Sequence, residues 1–132
     1  MRPTLARVWA GLLLTALPVL LFLGYRTDYL GHYLAGFGGT LLLLGLPPLF
    51  GRKPSDRKTV WIVLVAILIG FFIECTICNI AKFDPIDFGN QSLGACIAGL
   101  ILLRTEWTPD LGLWISFSSI CFMAAGFFVA HP

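Results

Sequence analysis

The sequence predicts an all-α integral membrane protein, a compact bundle of about five transmembrane helices forming a single domain over residues 1–132. Three observations predict it. Hydrophobic residues make up 58% of the chain and mean hydropathy is +0.87, more than a water-soluble core of this size requires. Charged residues reach only 12%, about half the roughly 25% usual in globular proteins, and they sit between apolar runs instead of alternating with them. Finally, windows of about 20 residues, the length that spans a hydrocarbon core of about 30 Å, pick out five apolar segments at 8–24, 29–50, 59–78, 85–103 and 109–130.

The first span follows Arg2 and Arg7 as a signal peptide would, but it runs on to Leu23 without an A-x-A cleavage site, so it is expected to be retained. In the second, Gly31, Ala35 and Gly39 recur every four residues. Such a small-xxx-small stripe lets helix backbones approach and should face another helix. Pro47-Pro48 is expected to end that helix, because proline removes a donor and disfavours helix in the residue before it. The fourth helix should start at Phe83-Asp84-Pro85-Ile86-Asp87: Asp84 suits the N-cap, Pro85 the first helical position, and Asp87 the positive end of the helix dipole. Gly94 and Ala98 form a shorter small-residue stripe on it. Thr108-Pro109-Asp110 repeats the same start signal for the fifth helix. Short connections make sequential helices antiparallel neighbours, with no linker and no second domain.

Loop charge gives the orientation. Arg2, Arg7, Arg52, Lys53, Arg57, Lys58 and Arg104 fall on one side and only Arg26 and Lys82 on the other, which places the N-terminus in the cytoplasm. A formal net charge of +2 without a basic stripe excludes nucleic acid as a partner. Cys75, Cys78, Cys96 and Cys121 lie in or beside apolar segments and read as small buried hydrophobes, not disulfides.

With that orientation the ionisable residues within the helices gather at the outer end. Asp28 and His32 are one turn apart at i and i+4 near the start of the second helix, so both can point the same way. Glu74 follows Ile69-Gly70-Phe71-Phe72-Ile73, where an unpaired charge is disfavoured by about 2.5–3.5 kcal/mol at mid-membrane depth. It needs a partner or a proton. Asp87, Gln91 and Gly94 follow i, i+4, i+7 and make one face of the fourth helix, expected to turn toward Glu74 and His32. The candidate ligand-binding residues are therefore Asp28, His32, Glu74, Asp84, Asp87 and Gln91. Each also has a plainer role: Asp84 as a cap, Asp87 as a complement to the helix dipole, His32 and Glu74 as an interhelical hydrogen bond.

Other chemistry is weaker. Cys75-Thr76-Ile77-Cys78 has CxxC spacing, but a second ligand pair is absent, and no metal or cofactor is assigned. Ser92 lacks the setting of an activated nucleophile.

The order Asp28-x-x-x-His32, then Glu74, then Phe83-Asp84-Pro85-Ile86-Asp87 leading into Gln91-Ser92-Leu93-Gly94 resembles the VanZ-like family of small bacterial membrane proteins. Asp28, His32, Glu74, Asp87 and Gly94 match its pattern. Ile77 stands where the family often has Gln, Gln91 where it often has Asn, and the loop lacks the Arg of many members, so the resemblance is to a divergent branch. It implies a multi-pass protein of the bacterial cytoplasmic membrane with acidic and His groups at its outer end. The namesake is associated with teicoplanin resistance, without an agreed mechanism, and resistance is not expected of a divergent member.

Three functions follow as expectations. The first is an envelope protein whose acidic and His cluster binds a polar or cationic ligand such as a lipid head group. The second is a small intramembrane enzyme acting on a lipid-linked cell-wall precursor through His32 and an acid. The third is a structural protein whose polar residues only join helices. Expected partners are membrane lipids, a small molecule of unknown identity and possible further copies of the chain. A single-chain transporter is disfavoured, since no inverted repeat is visible.

Overall fold

The computed structural model describes residues 3–22, 27–78 and 83–130, and among them it is all helix with no strand. The helices are α1 (Pro3–Phe22), α2 (Thr27–Leu49), α3 (Asp56–Ile73), a π-helical turn (Glu74–Cys78), α4 (Pro85–Leu102) and α5 (Pro109–Ala130). The end of the expected first span at Leu23-Gly24, and the basic residues Arg2, Arg26 and Lys82, lie outside the described residues. Three stretches, Thr27–Leu49, Asp56–Thr76 and Pro109–Ala130, are long and apolar enough to cross a membrane. The described apolar part of α1, Leu5–Leu14, is shorter, and α4 carries Asp87, Asn90 and Gln91 in its first two turns.

Local chemistry sets the helix starts. The Asp84 carboxylate accepts from the N–H groups of Ile86 at 2.8 Å and Asp87 at 3.4 Å, so α4 begins at the expected residue. The Thr108 hydroxyl accepts from Leu111 N–H at 3.2 Å and does the same for α5. α3 begins three residues before the expected apolar boundary, because Ser55 caps it and its first turn is the polar Asp56-Arg57-Lys58. Asp56 also accepts the Arg104 backbone N–H at 2.9 Å, tying the α2–α3 loop to the α4–α5 loop.

The stop of α2 differs from expectation. The helix runs through Pro47 and Pro48 to Leu49, and its end is set by a Schellman turn. Gly51 takes φ 71°, its N–H reaches the Pro48 carbonyl at 3.1 Å, and the Arg52 N–H reaches the Pro47 carbonyl at 3.0 Å. Two prolines in a last turn each remove one hydrogen bond but leave the φ of the helix intact.

α2 is the centre of the bundle. It packs most extensively on α5, then on α4, while α3 leans on α4 and α2, and α1 on α4 and α2. The α5 contact is antiparallel and glycine-lined. A Cβ on Gly31 would lie 2.8 Å from the Gly126 carbonyl oxygen, one on Gly38 2.9 Å from that of Ser119, and one on Gly45 3.1 Å from that of Gly112. These positions repeat every seven residues, the period of a shallow left-handed crossing. The expected four-residue stripe is corrected accordingly: Gly31 is in the seam, Ala35 is exposed, and Gly39 has open space beside it.

A second face of α2 meets α4, running the same way. A Cβ on Gly36 would overlap the Gln91 carbonyl, and one on Gly94 would overlap that of Tyr33. Ala98, one turn beyond Gly94, is fully buried. Around this contact Tyr33, Phe37, Leu41 and Leu44 are fully buried, and Phe122 of α5 sets its edge on Phe37 at 5.4 Å between ring centroids. α1 is fastened by Trp9 against Phe122 at 4.6 Å.

α3 buries little beyond Thr59 and Gly70 and turns Trp61, Leu64, Leu68 and Phe72 outward. The cysteines correct another expectation. Cys75, Cys96 and Cys121 are exposed on the outside of the bundle, and the Cys78 side chain lies outside the described residues. Apolar neighbours in sequence do not imply burial, because each helix turns one apolar face away from the bundle.

Two glycines on the α2–α4 contact should therefore be intolerant where a third is not. Gly94→Ala is expected to destabilise by about 1–3 kcal/mol through forced separation of two backbones, while Gly39→Ala should be neutral or stabilising by up to about 1 kcal/mol. Unfolding of the purified protein in detergent, followed by helical circular dichroism, separates the two.

Candidate functional site

Three side chains from three elements meet at the end of the bundle where α2 and α4 begin. His32 lies on the second turn of α2, Glu74 opens the π-helical turn after α3, and Asp87 sits in the first turn of α4. The imidazole stands between the two carboxylates. Its Nδ1 is 3.9 Å from Glu74 Oε2 and its Nε2 is 3.5 Å from Asp87 Oδ2.

The glycine contacts place them. Because Gly36 has no side chain, α4 comes in against it at Gln91, and one turn earlier Asp87 comes level with His32. The Gln91 side chain in turn occupies the space that a Cβ on Gly70 would take, one turn below Glu74 on the same face of α3. Gln91 thus wedges between α2 and α3 through its backbone and its amide respectively. The expected face Asp87, Gln91, Gly94 does turn toward α2, with Asp87 at the ion cluster, Gln91 beneath it and Gly94 in the helix contact.

Glu74 is the most constrained of the three. Only 2% of it is exposed, and its Oε2 has no hydrogen-bond partner. The Asp84 backbone N–H is directed at its carboxylate. Glu74's own N–H is shared between the Gly70 and Phe71 carbonyls, where the helix widens into the π turn. Such turns insert one extra residue and re-aim the side chains that follow.

The other candidates hold different positions. The Asp84 carboxylate is engaged in capping α4, so it reaches the cluster through its backbone. Asp28 is half-buried one turn before His32 on α2. Cys75 is exposed although its neighbour Glu74 is buried, which separates it from the cluster. Among the described residues no group of three His, Cys, Asp or Glu side chains could hold a metal ion.

Two features were not anticipated. Asn90 is buried beside the cluster but donates from Nδ2 to the Ile86 carbonyl at 3.0 Å, so it satisfies itself within its own helix. Phe71, Phe83 and Phe88 form a triangle with ring centroids 5.6 to 5.8 Å apart, joining the end of α3 to the start of α4. Phe83 and Phe88 flank the acidic residues in sequence, and that spacing was the available signal.

The chemistry is that of a pre-arranged acceptor site. The imidazole has a carboxylate within 4 Å of each of its ring nitrogens. Separations of 3.5 and 3.9 Å exceed the 2.7–2.9 Å of a closed charge-assisted hydrogen bond. The carboxylates attract the ring, and Glu74 Oε2 still has acceptor capacity for another donor.

No family model matches the chain, and neither a curated protein nor a solved structure matches it.

The three side chains should behave as one energetic unit. A double-mutant cycle of His32→Ala with Glu74→Gln is expected to give a coupling of about 0.5–3 kcal/mol, because the first change strands a buried carboxylate that the second makes neutral. Unfolding in detergent measures it, and strictly additive effects would contradict the contact.

Proposed function

We propose that the chain is a multi-pass protein of a bacterial cytoplasmic membrane, VanZ-like in character, that binds a cationic ligand or the amine-bearing head group of a lipid at the His32, Glu74 and Asp87 cluster. In this reading all five helices cross the bilayer, the N-terminus is cytoplasmic and the cluster lies beneath the outer surface. The observation that carries it is Glu74: a carboxylate with 2% exposure and an Oε2 atom lacking a hydrogen-bond partner, beside one imidazole and a second carboxylate.

A buried acid left short of partners costs stability, and a helix join needs no such group. Glu74 Oε2 is an acceptor without a donor, so the complementary guest is a cation that donates N–H bonds. The order Asp28, His32, Glu74, Asp87 and Gly94 supports a VanZ-like assignment, and the loop charges support the orientation.

Binding is tested with purified protein and lipids differing only in the head group, ethanolamine against choline and glycerol. Wild type should retain the ethanolamine lipid in preference, and Glu74→Gln should lower that retention about tenfold or more while the protein stays folded, since removing one of two charged hydrogen bonds costs about 1.5–3 kcal/mol. Equal retention by wild type and variant would remove the proposal. For the orientation, Lys53→Cys in a background without other cysteines should react with a membrane-impermeant maleimide in inverted vesicles and not in intact cells.

A further inference from the structure

The opposite end of α2, about 25 Å from His32 at 1.5 Å per residue, carries a second site of opposite charge. Leu43, Leu46, Pro47 and Phe50 line an apolar groove of about 580 Å³, and Arg52 stands at its mouth. Phe50 is 77% exposed, so the groove's wall is open to whatever surrounds the bundle.

The Schellman turn that ends α2 makes this arrangement. With the Arg52 N–H bound to the Pro47 carbonyl at 3.0 Å, the chain folds back on the last turn, and a cation that sequence alone would assign to a free loop is held beside the apolar wall. Lys53, Arg57 and Lys58 follow within six residues, all exposed. Among the described residues none of these four side chains pairs with a carboxylate, and Asp56, the acid in their midst, accepts the Arg104 backbone N–H.

We infer that the groove and its basic loop bind an anionic phospholipid, one acyl chain lying along Leu43, Leu46, Pro47 and Phe50 and the phosphate seated on Arg52. A free phosphate would use the cation and leave the apolar wall without purpose, while a zwitterionic lipid would use the wall and neutralise less of the loop. Only an amphiphile with net negative charge uses both. Basic residues next to a membrane surface each contribute about 1 kcal/mol toward anionic lipid. The inference rests on α2 crossing the bilayer and is independent of the His32 cluster.

Full-length protein in detergent is titrated with phosphatidylglycerol, with phosphatidylcholine of the same chains, and with inorganic phosphate, and bound lipid is counted by native mass spectrometry. Wild type is expected to retain phosphatidylglycerol several-fold over phosphatidylcholine, and millimolar phosphate should not displace it. Arg52→Gln should lower phosphatidylglycerol retention about fivefold and lower that of phosphatidylcholine, whose phosphate is offset by its own choline, by less. Phe50→Ala should lower both. Lys53→Gln with Arg57→Gln provides a second charge variant away from the turn that ends α2. Equal retention of the two lipids by wild type, charge variants indistinguishable from wild type, or displacement by phosphate would each overturn the inference. Loss of ethanolamine-lipid preference in Glu74→Gln alone would leave it standing.

Discussion

The close approach of α2 to its neighbours through glycine is the constraint on which the rest of this structure depends. At Gly36 and Gly94 the backbones of α2 and α4 come closer than a single methyl group would allow, and that contact sets the level at which Asp87 meets His32. Gly70 then admits the Gln91 amide and draws α3 against the pair, which brings Glu74 to the other side of the imidazole. Were the bundle in lipid, as proposed, burying leucine against leucine would bring no hydrophobic gain, and contact would be won by packing and polar attraction. The glycines supply the first and the ion cluster the second. They lie within two turns of each other, and a shift in one is felt in the other.

How far the sequence revealed this follows from the range of each interaction. Asp84 and Thr108 were legible as helix starts because capping is settled within three or four residues. The face Asp87, Gln91, Gly94 was legible for the same reason, since helix geometry alone puts those positions in line. The glycines of α2 were misread because that helix has two neighbours. A four-residue stripe describes one contact, whereas Gly31, Gly38 and Gly45 serve α5 and Gly36 serves α4. Pro47-Pro48 misled in a smaller way, because the turn closes at Gly51 and the helix persists until that closure. The exposed cysteines break the rule that apolar means buried, since the helices carry more apolar surface than their contacts cover.

Meeting of His32, Glu74 and Asp87 was expected from loop charge and spacing, but its form was not. Nothing in the residues announces the π turn at Glu74, and the amide of Gln91 resting on Gly70 needs three helices in place before it exists. The aromatic triangle of Phe71, Phe83 and Phe88 belongs to the same class. Each of its rings comes from a different side of the α3–α4 connection or its loop, so periodicity along one helix cannot find it.

The two ends of α2 carry clusters of opposite charge. At one end, helix starts and a helix exit converge on carboxylates, with Asp84 at the N-cap of α4 and Asp87 in its first turn, where the helix dipole favours negative charge. At the other, a Schellman turn binds the last carbonyls of α2 and leads directly into Arg52 and Lys53, where the dipole favours positive charge. At the start of α4 and the end of α2 the charge agrees with the helix dipole, whereas Glu74 at the exit of α3 and Arg57 and Lys58 in its first turn stand against it. What distinguishes the two clusters is burial: the basic loop is exposed, while Glu74 is enclosed. An exposed cluster can serve as a surface for many lipids of one charge. An enclosed carboxylate flanked by His32 and Asp87 would select by fit as well as by charge, and that is the physical reason for proposing the specific ligand at the acidic end.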